Sequence, residues 1–282
     1  MWLDEQLQWI RSLQKVLRSP GMDTFFIAWD FIDSPYFFII VVSLVWYLWD
    51  RRIGISLFYL LIWNLVSNKL LKILFHQPRP CQIDPSVGIL CFSSFGFPSG
   101  AAQTATILFG LVYLECQRPL YRWLAFVFAF FLCFSRIYLG VHYPTDILGG
   151  IVVGILLMLM YKMLFPLFRK TWKIAAVAFP FFLLLIGQAI SPQWANFLLF
   201  STLGVAAGLI TYETLGLQAV KRLRTRILQV IFINAGLCIL FVIGHLFPHL
   251  KTMWYFIEGF WLSFLGGWLI QKSPKLRLKR NG

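Results

Sequence analysis

Residues 135–146 read SRIYLGVHYPTD, the join between one apolar stretch and the next. Arg136 closes the first stretch and His142 stands in the connection. Pro144 opens the second stretch, with Asp146 two residues on. Proline at a first helical position and an acid in the first turn suit a helix start. Asp146 follows His142 by four residues, so its carboxylate can hold one ring nitrogen as N–H and leave the other lone pair free to attack. A lone loop histidine is ordinarily a polar surface residue. One bracketed by an arginine and an aspartate is a candidate nucleophile.

The two stretches belong to a series. The chain has 282 residues, 59% hydrophobic and 13% charged, against roughly 45–50% apolar in soluble domains. Segments near 34–50, 54–75, 99–116, 121–139, 145–167, 172–190, 195–216, 227–247 and 253–271 give about nine candidates for the ~20 residues that cross a bilayer. Open sheet edges cannot be satisfied in lipid, so the expected fold is all-α, a polytopic integral membrane helix bundle. Residues 1–18 mix acids, bases and apolar residues at helical spacing, unlike a cleavable signal. Trp2, Leu3, Leu7, Ile10, Leu13 and Leu17 form the apolar side of an N-terminal helix, either interfacial or packed on the bundle.

The net charge of +14 is distributed by connection. Arg51/Arg52, Arg118/Arg122, Arg169/Lys170/Lys173, the run Lys221 to Arg226 and the basic tail from Lys272 to Arg280 fall at alternate joins. The positive-inside rule reads these joins as cytoplasmic, with the N-terminus outside and the C-terminus inside. The basic surplus is therefore topology and not nucleic-acid binding. The opposite joins are 76–98, 139–144, 191–194 and 248–252, and the chemistry-bearing residues sit at the first two. Cys116, Cys133 and Cys238 read as small apolar residues. Cys81 and Cys91 share one outside loop, where a disulfide can form. No CxxC or His/Cys cluster suggests a metal.

The second span ends NKLLKILFHQPRP, 68–80. Lys69, Lys72 and His76 share a helical face, then Pro78 and Pro80 break the helix around Arg79. Lys69 alone reads as a snorkelling side chain. Lys72 with Arg79 forms a cationic face, and such a face in a membrane helix is a functional hypothesis by default. The third span opens FPSGAAQTA, 97–105. The first N–H groups of a helix are unpaired and its dipole favours an anion, so Ser99 and Gly100 could cradle an oxyanion. Alone this is weak, since Pro-Ser-Gly is also an ordinary helix cap.

Taken together, Lys72…Arg79-Pro80, Pro98-Ser99-Gly100 and Ser135-Arg136…His142…Asp146 resemble the three motifs of the type-2 phosphatidic acid phosphatase superfamily, K-x6-RP, PSGH and SR-x5-H-x3-D. That superfamily shares its phosphate pocket with the vanadium haloperoxidases. The resemblance covers residues 1–168, an expected core; residues 169–282 are a further membrane-helix region without a chemical signature. It implies that His142 is the nucleophile, that Asp146 orients it, and that Lys72, Arg79 and Arg136 bind the phosphoryl oxygens with the N–H groups of Ser99 and Gly100. It implies no metal or other cofactor, since three cations supply the positive charge.

One residue departs from the pattern: Ala101 stands where the resemblance places the general-acid histidine. General acid loss costs roughly 10²- to 10⁴-fold for a poor leaving group. Gln103 cannot act as an acid, and His76 belongs to another helix. Two accounts compete. A natural histidine has been replaced, silencing the enzyme, which the intact remainder of the motif set favours. Otherwise the alanine is native, and the leaving group departs unaided or the protein only binds. The expected function is that of a cell-membrane lipid-phosphate phosphatase of the bacterial inner-membrane type, its site facing outside and its partners membrane lipids. A phosphotransferase, a transporter and a non-catalytic lipid-phosphate binder are the competing classes. The ionisable residues cluster at one face and not at the midplane, where transporter sites lie.

Overall fold

Proline punctuates this chain, and the helices begin where it stands. A computed structural model describes residues 2–272, apart from the side chains at 35, 165–172 and 175. The α-helices are α1 (Trp2–Leu17), α2 (Pro20–Ile32), α3 (Pro35–Leu44), α4 (Arg51–Phe75), α5 (Pro80–Ile83), α6 (Gly100–Glu115), α7 (Pro119–Tyr138), α8 (Pro144–Ile190), α9 (Pro192–Thr214), α10 (Leu223–Leu246), α11 (Lys251–Phe260) and α12 (Gly266–Lys272). Six of these ranges open on proline, whose fixed φ and missing N–H cost nothing in the first turn. Ser19 and Ser191 cap α2 and α9 by accepting the N–H groups of Met22 and Trp194. There is no strand among the described residues.

Five helical stretches are long and apolar enough to cross a membrane: Arg51–Ile83, Pro119–Tyr138, Pro144–Leu164, Pro192–Thr214 and Leu223–Leu246. A sixth arises if Pro20–Ile32 and Tyr36–Trp49, bent by 62° at their junction, count as one broken span. The expected count of about nine is thus not reached by length and composition. The helix α6 has 16 residues, and the segment expected near 253–271 is divided between α11, a π turn at Trp261–Leu265 and α12. The chain is a multi-pass helical membrane protein. The basic residues at 275–280 lie outside the described residues, as do the side chains of Arg169 and Lys170.

The chain divides into two units: Met1–Phe38 with Tyr59–Leu164, and Ile39–Phe58 with the chain from Phe165 onward. In the first unit α1 takes the packed disposition. Leu7 and Ile10 bury against Val87 and Tyr143, while Trp2 and Trp9 stay exposed. Its buried Gln14 donates from Nε2 to the carbonyl oxygens of Val87 (2.8 Å) and Tyr138 (2.7 Å). Gln6 Oε1 accepts from the Thr145 N–H (3.0 Å) and hydroxyl (2.9 Å) at the start of α8. Buried amides are tolerated because they find such partners. Along α2 and α7, Phe26 lies against Tyr138 with ring centroids 4.5 Å apart, and Trp29 stacks on Phe131 at 5.7 Å. Small residues let α8 approach α6. At Gly150 a Cβ would come within 2.5 Å of the Ser99 carbonyl oxygen and 2.8 Å of Ala102 Cβ.

The connection 76–99 is tied down along its length. His76, at φ 49°, turns the chain out of α4, a left-handed residue of the kind that ends helices. Cys81 N–H donates to the Gly140 carbonyl and Ile89 N–H to the Leu139 carbonyl, each at 3.1 Å. Gly140 has φ +70°, and a Cβ there would strike the Val87 carbonyl, so only glycine lets the two connections cross. A disulfide joins Cys81 and Cys91, their Cα atoms 5.7 Å apart.

In the second unit, α9 and α11 meet on small residues. A Cβ on Gly204 would strike the Phe256 carbonyl, and one on Gly259 would strike that of Ser201, a packing mode suited to lipid. Arg226 donates to the carbonyls of Tyr47, Leu48 and Trp49, which end the π turn Val45–Trp49. Arg51 lies over the Tyr212 ring, 3.4 Å from its centroid.

The disulfide closes a short loop, so its removal frees the unfolded chain more than the folded one. Replacing both cysteines by serine is expected to destabilise the first unit by about 2–3 kcal/mol on loop-entropy grounds. Thermal unfolding of the detergent-solubilised protein checks this; an unchanged midpoint would mean that the loop is held by its backbone hydrogen bonds alone.

Candidate active site

Four helix ends converge on one cavity of about 200 Å³ lined by Asp33, Asn68, Lys72, Arg79, Phe92, Ser94, Gly100, Arg136 and His142. The end of α4 brings Asn68 and Lys72, the residue before α5 is Arg79, α6 begins at Gly100, and α7 ends beside Arg136. The sequence motifs therefore meet in space, as consecutive antiparallel helices require when their markers sit at alternate ends.

His142 is buried, and both ring nitrogens have partners. Nδ1 lies 3.1 Å from Asp146 Oδ2, and Nε2 lies 3.2 Å from Arg79 Nη1. With Asp146 a carboxylate, Nδ1 carries the proton and the Nε2 lone pair faces the Arg79 guanidinium, itself part of the cavity lining. Burial pushes the His142 pKa well below its usual value of 6.5, and the nearby Arg79, Lys72 and Arg136 push the same way. The imidazole is thus neutral, the form a nucleophile needs. Asp146, fully buried, is held as well as holding. Its Oδ2 accepts the Tyr143 N–H at 2.9 Å and its Oδ1 the Gln77 Nε2–H at 2.7 Å.

The three cations differ in how they are fixed. Arg79 donates from Nε to the Ser94 carbonyl (2.7 Å), from Nη2 to the Ser94 hydroxyl (3.0 Å) and from Nη1 to the Val141 carbonyl (2.9 Å). Its guanidinium also lies 5.2 Å from the centre of the Phe92 ring. Arg136, 1% exposed, pairs through Nη1 with Asp30 at 2.7 Å. Its buried Nε–H has no hydrogen-bond partner among the described residues. An unpaired buried N–H is costly, and an oxyanion in the cavity would satisfy it. Lys72 is buried and reaches the same cavity. Lys69 and His76 do not line it.

The structure treats the start of α6 unevenly. Gly100 lines the cavity, and its Cα leaves room for Asn68, whose Nδ2–H donates to the Pro98 carbonyl at 3.0 Å. The Ser99 N–H, expected to face the phosphate, instead donates to the Asp146 carbonyl at 2.9 Å, and Ser99 does not line the cavity. Its hydroxyl caps α6 by accepting from Ala102 N–H. The serine is a structural cap, and of the two residues it is Gly100 that lines the cavity. Ala101 is buried outside the cavity lining, in a cluster with Ala105 and Leu132. Sequence reasoning missed Asp33, Ser94 and Gln77. Asn68 was within reach, since it lies one turn before Lys72 on the same face of α4.

The arrangement is a histidine–carboxylate pair in a cationic cavity at the ends of membrane helices. Residues 52–170 match the PAP2 superfamily, and the chain carries a PAP2 superfamily domain. It is 35% identical over 104 residues to phosphatidylglycerophosphatase B of Bacillus subtilis, covering 34% of this chain and 49% of that one. It is 30% identical over 107 residues to undecaprenyl-diphosphatase of Sulfolobus acidocaldarius, covering 37% and 51%. The chain thus spans about half the length of these relatives. The crystal structure of Aquifex aeolicus LpxE shares the fold, with a TM-score of 0.50 at 24% identity over 55% of this chain and 92% of that one.

The depressed pKa of His142 links the site to stability. Unfolded histidine takes a proton as pH falls through about 6.5, whereas folded His142 does not, so acidification favours unfolding. This penalty is absent above pH 6.5 and grows by up to about 1.4 kcal/mol per pH unit below it. His142→Gln should therefore lose less thermal stability between pH 7.5 and 5.5 than the unmodified protein, measured side by side in detergent. Parallel losses would place the acid-labile group elsewhere.

Proposed function

We propose that this chain is a membrane lipid-phosphate phosphatase that works through a phosphohistidine on His142. The observation that carries the reading is His142 held between Asp146 and Arg79 in a cavity that also gathers Lys72, Arg136 and the start of α6. A phosphoryl group seated among those cations has its equatorial charge neutralised, which is most of what phosphoryl transfer asks of a protein. Nε2 attacks phosphorus as the bond to the lipid oxygen breaks, and Asp146 stabilises the imidazolium that forms. Water then cleaves the phosphorus–nitrogen bond, releasing inorganic phosphate. The substrate class is a lipid monophosphate or diphosphate, such as a glycerolipid phosphate or a polyprenyl diphosphate. The alternation of basic joins supports a site at the extracytoplasmic face of a bacterial cell membrane, with the C-terminus in the cytoplasm. We assign catalysis to residues 1–168 and leave 169–282 as an added membrane region.

Phosphate release from a lipid phosphate by detergent-purified protein tests the proposal. His142→Ala should abolish release, also in combination with Ala101→His, while Asp146→Asn leaves a slow residual rate. Release that survives in His142→Ala would remove the histidine from the chemistry. Transfer of the phosphoryl group to a second lipid with no free phosphate would make the protein a phosphotransferase, and retention without turnover would make it a binder.

The cations named above take the place that divalent metal holds in many phosphoryl-transfer sites. Activity is accordingly expected to persist in excess chelator. A strict need for added Mg²⁺ in the same assay would overturn the charge assignment.

Ala101 bears on rate. If it replaces a natural histidine and disarms an otherwise complete site, Ala101→His should raise hydrolysis of a lipid monophosphate by about 10²- to 10⁴-fold. The gain should be smaller for a diphosphate, whose phosphate leaving group can depart unprotonated. No gain on either substrate would mean that the alanine belongs to the site's own chemistry.

A further inference from the structure

We infer that Asp33, at the break between α2 and α3, supplies the leaving-group proton that position 101 cannot. The inference rests on the phosphatase reading above. Asp33 lines the same cavity as His142, Lys72, Arg79, Gly100 and Arg136, and about a quarter of its side chain (27%) remains accessible. It lies outside residues 52–170, the stretch that matches the superfamily.

Packing at the start of α6 explains why an aspartate there can replace a residue at 101. The cluster formed by Ala101, Ala105 and Leu132 is covered by Trp29 and Ile32 from α2. The space beside Ala101 is therefore filled by the end of α2, and the residue that follows Ile32 is Asp33. The smaller side chain at 101 and the nearby carboxyl are two parts of one arrangement.

Charge pairing leaves Asp33 able to hold a proton. Asp30 takes the close partnership with Arg136, Oδ1 to Nη1 at 2.7 Å, whereas Asp33 Oδ2 stands 3.5 Å from Nη2. One guanidinium balances one carboxylate, and a second carboxylate beside the pair favours its neutral form. The other groups facing Asp33 are Lys72 from α4, Arg79 before α5 and Cys133 from α7. A bound phosphate dianion takes up the charge of Lys72 and Arg79, which removes their pull on Asp33.

The step balances without a co-reactant. Nε2 of His142 forms a bond to phosphorus while the phosphorus–oxygen bond to the lipid breaks. The electron pair stays on the lipid oxygen, which takes the Asp33 proton and leaves as an alcohol. Water then attacks the phosphohistidine, giving one proton to the Asp33 carboxylate. Inorganic phosphate departs, and His142 and protonated Asp33 are restored.

A general acid is recognised by its dependence on the leaving group. The unmodified chain, Asp33→Asn and Asp33→Glu are assayed on a lipid monophosphate, whose alkoxide needs a proton, and on p-nitrophenyl phosphate, whose phenolate does not. Asp33→Asn should lower the lipid rate by about 10²- to 10⁴-fold, while the first-turnover burst of p-nitrophenolate, released before water attacks, falls far less. Asp33→Glu should recover part of the lipid rate, and Ala101→His should recover it in the Asp33→Asn background. Equal loss on both substrates in Asp33→Asn together with Asp33→Glu, or no loss on either, overturns the inference. An unmodified chain that cleaves the aryl ester but not the lipid ester overturns it too, and leaves the phosphohistidine reading standing. A chain inactive on both substrates removes that reading and the inference with it.

Discussion

The carboxylate of Asp146 is where the molecule's separate pieces meet. Its Oδ2 faces His142 Nδ1 and accepts the Tyr143 N–H, its Oδ1 takes Gln77, and its main-chain carbonyl accepts the Ser99 N–H. One residue in the first turn of α8 thus fixes His142, the chain leaving α4 and the start of α6. A fully buried carboxylate is costly unless its lone pairs are filled. Here three donors fill them, two from the adjacent residues His142 and Tyr143 and one from Gln77 in the chain leaving α4. The same network that makes the burial tolerable gives His142 its tautomer.

Three buried cations around one cavity pose the opposite problem. Arg136 is balanced by Asp30, and Arg79 is spread over carbonyls and a hydroxyl. The Arg136 Nε–H, which finds no hydrogen-bond partner among the described residues, is not settled in this way. Leaving such groups unsatisfied costs on the order of 1–3 kcal/mol each. A phosphoryl dianion, the group proposed to occupy the cavity, would supply the missing acceptor.

The packed disposition of α1 follows from the same need to satisfy buried polar groups. Its glutamines reach the carbonyls of Val87 and Tyr138 and the N–H of Thr145, in or bordering the connections that carry the site. An apolar stripe alone would have let the helix lie in the membrane interface. The buried amides, which need partners that lipid cannot give, hold it on the protein.

Lys72, Arg79, Arg136, His142 and Asp146 were legible in sequence because each stands at a fixed interval from a helix end. Helix ends are marked by proline and by the change from apolar to polar residues. The i to i+4 interval between His142 and Asp146 sets their distance almost regardless of tertiary context, and the alternation of apolar stretches puts their helix ends at one face. The cysteine pair could be read for the same reason, since a short loop keeps its ends close. The number of spans could not be read in this way, because hydrophobicity does not distinguish a crossing helix from a short one or from a pair broken at residues 33–35. The use of the Ser99 N–H, the partners of Gln77 and Ser94, and the presence of Asp33 in the cavity were decided by tertiary structure alone. Each depends on side chains or backbone groups brought from distant parts of the chain, and no local spacing encodes which of several available partners a polar group will meet.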